Sequence, residues 1–244
     1  IRVVDTKRYW INTNLIVLDV NNKNVNLSYA IIEIIDSYVA SKRSAFESFI
    51  ETCERLKDIE NEKPEEIKSF ILGLLEPNVD ARIFEIVSYS ILKADYNDQT
   101  VYFGFEEDSI QPENLKLYKT GRTNANDGGI DFVMKPLGRF FQVTETTDVK
   151  KYFLDIDKLE KFPITFVVKS TETVKELTER IKEGAKQQYS VEAIVNKYVS
   201  CIEEIINIDK LKNSLQSAED KGNIPDVLNE IIKQSKVEFN YDVE

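Results

Sequence analysis

At 244 residues, 42% of them hydrophobic, the chain is long enough to bury a core as one large domain or two small ones. Its formal net charge of −11 points away from general nucleic-acid affinity. Histidine is absent, which excludes Ser-His-Asp and Cys-His catalysis, His-ligated zinc and an imidazole general base. Chemistry is left to carboxylates, amides, hydroxyls, lysines, arginines and a hard, oxygen-liking cation such as Mg²⁺. The two cysteines, Cys53 and Cys201, stand far apart and cannot build a zinc site alone. They predict a reduced cytoplasmic protein with two buried thiols. Every long apolar run is broken by charge within about ten residues, so no membrane span is expected. No stretch reads as a signal peptide, and because the chain begins at Ile1 rather than Met, N-terminal targeting stays open.

In chain order, residues 1–20 alternate weakly and predict one or two strands. From Leu27 to about Leu75 the spacing turns helical, with Ile31, Ile32, Ile35, Tyr38 and Val39 followed by Phe46, Phe49, Ile50, Cys53 and Leu56. Pro64, followed by Glu65 and Glu66, opens a further helix that ends near Pro77. Asp80 is a natural N-cap for DARIFEIVSYSILKADY, a helix apolar enough to pack on more than one side. Strand-like runs follow at 100–105, 114–121, 129–135, 139–146 and 164–170, with a helical insert (DVKKYFLDIDKLEKF) between the last two. From Thr173 to about Lys233 the pattern reads as helical throughout, interrupted at Gly222-Asn223-Ile224-Pro225. The order predicts a mixed α/β core flanked by helical segments. Its parts are an N-terminal strand and helical region (1–78), an α/β core (79–172) and a C-terminal helical region (173–244).

The stretch NANDGGIDFVMKPLGRFFQVTET, residues 124–146, stands apart. Half of the chain's eight glycines, Gly121, Gly128, Gly129 and Gly138, fall within or just before it. Between Asn114 and Val143, Lys116, Lys119, Arg122, Lys135 and Arg139 outnumber Asp127 and Asp131, a basic strip in an acidic chain. Pro136-Leu137-Gly138 is turn chemistry, and a turn centred there opposes residues whose numbers sum to 273. Asp131 then faces Gln142, with Thr144 further along the same face, while Phe132, Met134, Phe141 and Val143 point into the core. A carboxylate and an amide oxygen so placed suit Mg²⁺, or equally hydrogen-bond to each other across a solvated face.

This stretch resembles the core of the PD-(D/E)XK nuclease superfamily, in particular its Mrr-like branch. Asn126-Asp127-Gly128-Gly129-Ile130-Asp131 is similar to that branch's glycine-rich entry, and Gln142-Val143-Thr144 occupies its second motif. Phe84-Glu85 in an apolar helix resembles the family's first helix. The helix after Thr144, followed by ITFVV, is similar to its continuation. YKTGRTNANDGGIDFVMKPLGRFFQVTET further resembles HaeII-type restriction endonucleases. The resemblance runs from about Asp80 to Ser170. It implies a restriction-endonuclease-like mixed sheet and Mg²⁺-dependent, site-specific hydrolysis of double-stranded DNA by a type II enzyme, commonly a homodimer.

What the resemblance implies for the site can be stated residue by residue. Asp131, Gln142 and the Val143 carbonyl hold the metal, with Glu85 contributing directly or through water. Thr144 departs from the pattern, because it stands where the family carries a lysine that supports the attacking water and the transition-state charge. Lys119, a charge among strand positions shared with Leu115 and Leu117, is the preferred substitute; a lysine snorkelling from a strand end is the plainer alternative. Arg122, Lys119 and Arg139 are candidates for phosphate contacts. Lys135, two pairs along the hairpin from Asp131, is a further DNA-side cation. Asn124 and Asn126 lie near DNA or shape the glycine loop. Two other readings stay open. One is a nuclease-fold module that binds DNA without cutting it, and the other is a helical interaction protein whose α/β centre is only scaffold.

Overall fold

The computed structural model describes the chain except for residues 1, 4–7, 10, 61, 98, 122–129, 146–147 and 242–244, and for residues 2, 3, 8, 9 and 13 it describes the backbone alone. Two compact units separate between Thr52 and Cys53. The first contains the two-residue strands β1 (Arg2–Val3) and β2 (Arg8–Tyr9) and the short helix α1 (Thr13–Ile16). It also holds a hairpin of β3 (Val17–Val20) and β4 (Lys23–Asn26), and most of the long helix α2 (Ser28–Asp58).

The second unit begins within α2 and continues through α3 (Pro64–Gly73) and α4 (Ala81–Asn97). As the sequence predicts, Pro64 starts α3, and the Asp80 carboxylate accepts the Arg82 N–H at 3.0 Å to open α4. Phe84 through Leu92 are buried without interruption, so α4 is enclosed on all sides. A small hairpin of β5 (Thr100–Phe103) and β6 (Gln111–Asn114) follows. Next come β7 (Lys116–Lys119), β8 (Phe132–Lys135), β9 (Arg139–Thr144), α5 (Val149–Lys158) and β10 (Ile164–Val168). The unit closes with α6 (Val174–Gln188), α7 (Glu192–Ser200), β11 (Ile202–Ile206), α8 (Ile208–Asp220) and α9 (Ile224–Phe239).

Five strands form one mixed sheet in the order β11-β10-β9-β8-β7. β7, β8 and β9 run as an antiparallel meander, and β9, β10 and β11 are parallel, each parallel step crossing over through helices. The hairpin register is the expected one, with Phe132 opposite Phe141 and Val133 opposite Phe140. On one face α4 lies against β7, β8 and β9, with the Tyr89 ring 5.2 Å from Phe132 and the Tyr96 ring 6.0 Å from Phe141. α8 and α9 pack against α4. On the other face α5, α6 and α7 close over β9, β10 and β11, where Tyr152 and Phe153 join Ile164, Phe166, Val168, Leu177 and Ile205 in one cluster. All five residues of β10 are buried, which is why ITFVV reads as an unbroken apolar run.

One expectation needs correction. The stretch from Thr173 to Lys233 is not helical throughout, because Ile202–Ile206 is a strand. Cys-Ile-Glu-Glu-Ile-Ile has helical spacing, but the open edge of β10 offers a ladder, and Ile205 and Ile206 are buried by joining it. Phe140 packs against the α5–α7 cluster and lies 5.3 Å from the Phe162 ring, so polar character is confined to the far end of β9.

Candidate active site

Asp131 precedes β8 by one residue, where a bend replaces the ladder. Its N–H donates to the Phe141 carbonyl at 2.9 Å. Its own carbonyl accepts the Thr120 N–H at 2.9 Å and the Thr120 hydroxyl at 3.0 Å. The backbone of Asp131 is thus tied to both neighbouring strands, and its carboxylate turns onto β9. Oδ2 accepts the backbone N–H of Val143 at 2.6 Å, and the residue is only 9% exposed. β8 begins only at Phe132, so the Asp131 carboxylate does for Val143 what a ladder partner would otherwise do.

Gln142 completes the group. Its Nε2 donates to the Val143 carbonyl at 3.2 Å, while its Oε1 is buried and has no donor among the described residues. Leaving such an oxygen unsatisfied costs about 1–3 kcal/mol. Three of the four expected metal ligands, Asp131, Gln142 and Val143, are therefore joined by two hydrogen bonds. Their donor set of carboxylate, amide and carbonyl oxygens fits Mg²⁺ and suits softer ions poorly. No cluster of three or more acidic or cysteine side chains gathers among the described residues, so a cation here would rest on one carboxylate and neutral oxygens.

Glu85 and Lys119 meet under α4. Lys119 Nζ lies 2.8 Å from Glu85 Oε1 and 3.8 Å from Glu238 Oε2 of α9, and all three side chains are less than a tenth exposed. Lys119 is thus no snorkelling strand end but the centre of a buried ion cluster. Opposite it in the ladder is Phe132, the residue next to Asp131. Tyr89, one turn along α4 from Glu85, donates to the Leu117 carbonyl at 3.1 Å, and burial pushes its hydroxyl up to about 12. A cleft of about 700 Å³ runs along β7 and is lined by Lys119, Glu238, Lys116 and Lys233 but by neither Asp131 nor Gln142. The cleft therefore borders the ion cluster rather than the metal-type group.

Thr144 ends β9 at 3% exposure, opposite Val168. Its carbonyl accepts the N–H of Lys169 at 2.9 Å. The Lys169 ammonium is itself buried, 2.5 Å from Glu145 and bonded to the Val79 carbonyl. Arg139 begins β9, five residues and about 17 Å from Thr144. Its guanidinium donates to Thr165 Oγ1 at 2.9 Å, lies 3.4 Å from Glu203 and pairs with Glu204. Burial works against that charge, but the bond to Glu204 prevails and holds Arg139 above its ordinary range. Lys135 is exposed, directly across the ladder from exposed Lys116, with its ammonium 5.6 Å from the Tyr118 ring. Arg122, Asn124 and Asn126, with the glycine entry at Gly128-Gly129, lie outside the described residues.

Sequence spacing misses four members of these groups. Glu238 arrives from α9, and Glu203 and Glu204 from β11, far along the chain, and they leave no local signal. Lys169 does leave one, as a charge placed directly after a fully apolar strand.

Comparison with known proteins finds no matching family model, no matching curated protein and no matching solved structure. What is established is a mixed α/β protein built on a five-stranded mixed sheet, in which no helix among the described residues is long and apolar enough to cross a membrane.

Proposed function

We propose that the chain is a type II restriction endonuclease that hydrolyses phosphodiester bonds of double-stranded DNA with Mg²⁺. The observation that carries this reading is the buried Gln142 Oε1, an acceptor without a donor among the described residues, beside the strand end that Asp131 caps. Supporting it is the succession of α4, then, after the β5–β6 hairpin, β7–β8–β9–α5–β10, a helix, an antiparallel meander and a parallel crossover, in keeping with the PD-(D/E)XK resemblance. Asp131, Gln142 Oε1 and the Val143 carbonyl would hold the ion. When bound, Mg²⁺ supplies a water of lowered pKa and neutralises charge at the scissile phosphate.

The protein's own residues divide the remaining work. Val143 N–H fixes the Asp131 carboxylate, so its orientation is set before any ligand arrives. Gln142 brings no charge, and the cation is held more weakly than between two carboxylates. Lys119, paired with Glu85, is the cation we assign to the role that Thr144 cannot fill. Lys116 and Lys135 form an exposed basic pair suited to phosphate contacts along a duplex, a salt-sensitive interaction.

The test is digestion of a mixed-sequence plasmid with and without Mg²⁺, followed by sequencing of the fragment ends. Discrete ends that require Mg²⁺ and vanish in a folded Asp131→Ala protein are expected. Unchanged cutting by that variant removes the site assignment. A second reading, a nuclease-fold DNA-binding module that does not cut, is favoured by Thr144, which is uncharged, and by Lys119, which Glu85 holds at 2.8 Å. It predicts salt-dependent duplex binding without metal-dependent products. A protein that binds no duplex even at low salt is instead the helical interaction protein.

A further inference from the structure

In the first unit the N-terminal half of α2 carries an apolar stripe whose Ile32, Ile35 and Val39 are exposed, while Phe46 and Phe49 further along it are half-buried. Along α2, Ile32, Ile35, Val39, Lys42, Phe46 and Phe49 recur at alternating spacings of three and four, the pattern of a helix that packs lengthwise on another helix. Ile32, Ile35, Tyr38 and Val39 are each more than half exposed, as is Ile34 beside them. From Ser28 to Ala45 nearly every residue of α2 is exposed, a length of about 27 Å at helical rise. A stretch of helix this apolar and this exposed is a binding surface.

The charges beside the stripe say what fits it. Asp36 and Arg43 are seven residues apart, two turns along the same flank, with Lys42 at a stripe position between Val39 and Phe46. Two copies of α2 packed antiparallel about a two-fold axis near residues 39 and 40 bring Asp36 of each against Arg43 of the other. Val39 lies at the centre of that contact, with Ile35 and Ile32 on either side. A parallel pair would instead set that flank against the one bearing Ile31 and Tyr38 and leave Asp36 and Arg43 without each other. Arg43 already turns toward Glu47 at 3.4 Å within its own helix, but at 81% side-chain exposure it is free to reach across.

We propose that the N-terminal half of α2 is a self-association surface that pairs antiparallel with α2 of a second copy of this chain. The surface is isologous, as two-fold contacts require, and its polar flank selects direction while its isoleucines and Val39 supply affinity. The proposal is independent of any nuclease activity.

The experiment is sedimentation of the whole chain across a concentration series, with circular dichroism to show that each variant keeps its helix content. The unaltered chain is expected to run as a dimer. Ile35→Glu combined with Val39→Glu weakens the dimer at least about 100-fold, the scale set by losing two central apolar anchors. Asp36→Arg and Arg43→Asp each weaken it several-fold, and the two together restore it, because the swapped pair is again complementary. A chain that is monomeric at the highest concentration, or a dimer indifferent to the Ile35/Val39 change, overturns the proposal. A dimer that the double charge swap fails to restore overturns the antiparallel pairing.

Discussion

The sheet face under α4 and the far end of β9 both bury polar side chains, and they treat them differently. Under α4 each cation is answered: Lys119 by Glu85 and Glu238, and Arg139 by Glu203, Glu204 and Thr165. At the end of β9 the Asp131 carboxylate and the Gln142 amide nitrogen are engaged, but Gln142 Oε1 has no donor among the described residues. Answered groups fix strands and helices in place. An unanswered buried oxygen works against stability and is expected where something outside the chain completes it.

The sharpest way to break this contrast is at Lys119. Lys119→Met removes the cation from a cluster in which every side chain is less than a tenth exposed, and should cost about 3–5 kcal/mol in urea unfolding. Because Lys119 is also the cation assigned to the role that Thr144 cannot fill, the folded fraction should lose DNA cleavage as well, and cleavage retained per folded molecule would remove that assignment. Next in size is Arg139→Ala. Removing the partner of Glu203 and Glu204, both on the β11 edge, should cost about 2 kcal/mol and leave metal-dependent cleavage per folded molecule unchanged. Cleavage lost in proportion beyond the unfolded fraction would return Arg139 to the DNA-contacting set.

Gln142→Leu reverses the sign. Replacing an oxygen that lacks a donor by an apolar group of similar size should raise stability by about 1 kcal/mol while abolishing Mg²⁺-dependent cutting. A variant that is destabilised and still cuts would mean that the oxygen is neither unsatisfied nor a ligand. The smallest effect is in acid. Burial raises the Glu204 carboxyl, but the bonds from Lys210 and Arg139 outweigh it and hold the group below its ordinary range. A depressed carboxylate adds stability that is fully present above its unfolded pKa and lost as pH falls through the folded one. Thermal melts from about pH 6 to about pH 3 should therefore fall less steeply for Glu204→Gln than for the unaltered chain.

Much of the second unit is legible without coordinates. Pro64 and Asp80 place the starts of α3 and α4, the Gly222–Pro225 break separates α8 from α9, and Pro136-Leu137-Gly138 sets the hairpin register. These signals are local, carried by backbone preferences within a turn or two. The buried thiols are legible too: Cys53 and Cys201 are free and buried, and burial pushes Cys53 up to about 12. β11 is not legible, because its spacing fits a helix and only the vacant edge of β10 makes it a strand.

By itself, then, the sequence determined which segments form helices and strands across the centre of the chain, and which residues of the hairpin oppose one another. Periodicity and turn chemistry act between near neighbours and need no distant partner. Only the tertiary structure decided which charges are spoken for. Lys119 and Arg139 look equally available in sequence, yet both are neutralised by acids more than thirty residues away. Gln142, one amide among many, is one of the few side chains whose buried oxygen has no donor among the described residues, and it is the one that lies beside Asp131. Pairing across such distances depends on how layers of helices close over a sheet, and no local pattern of residues records it.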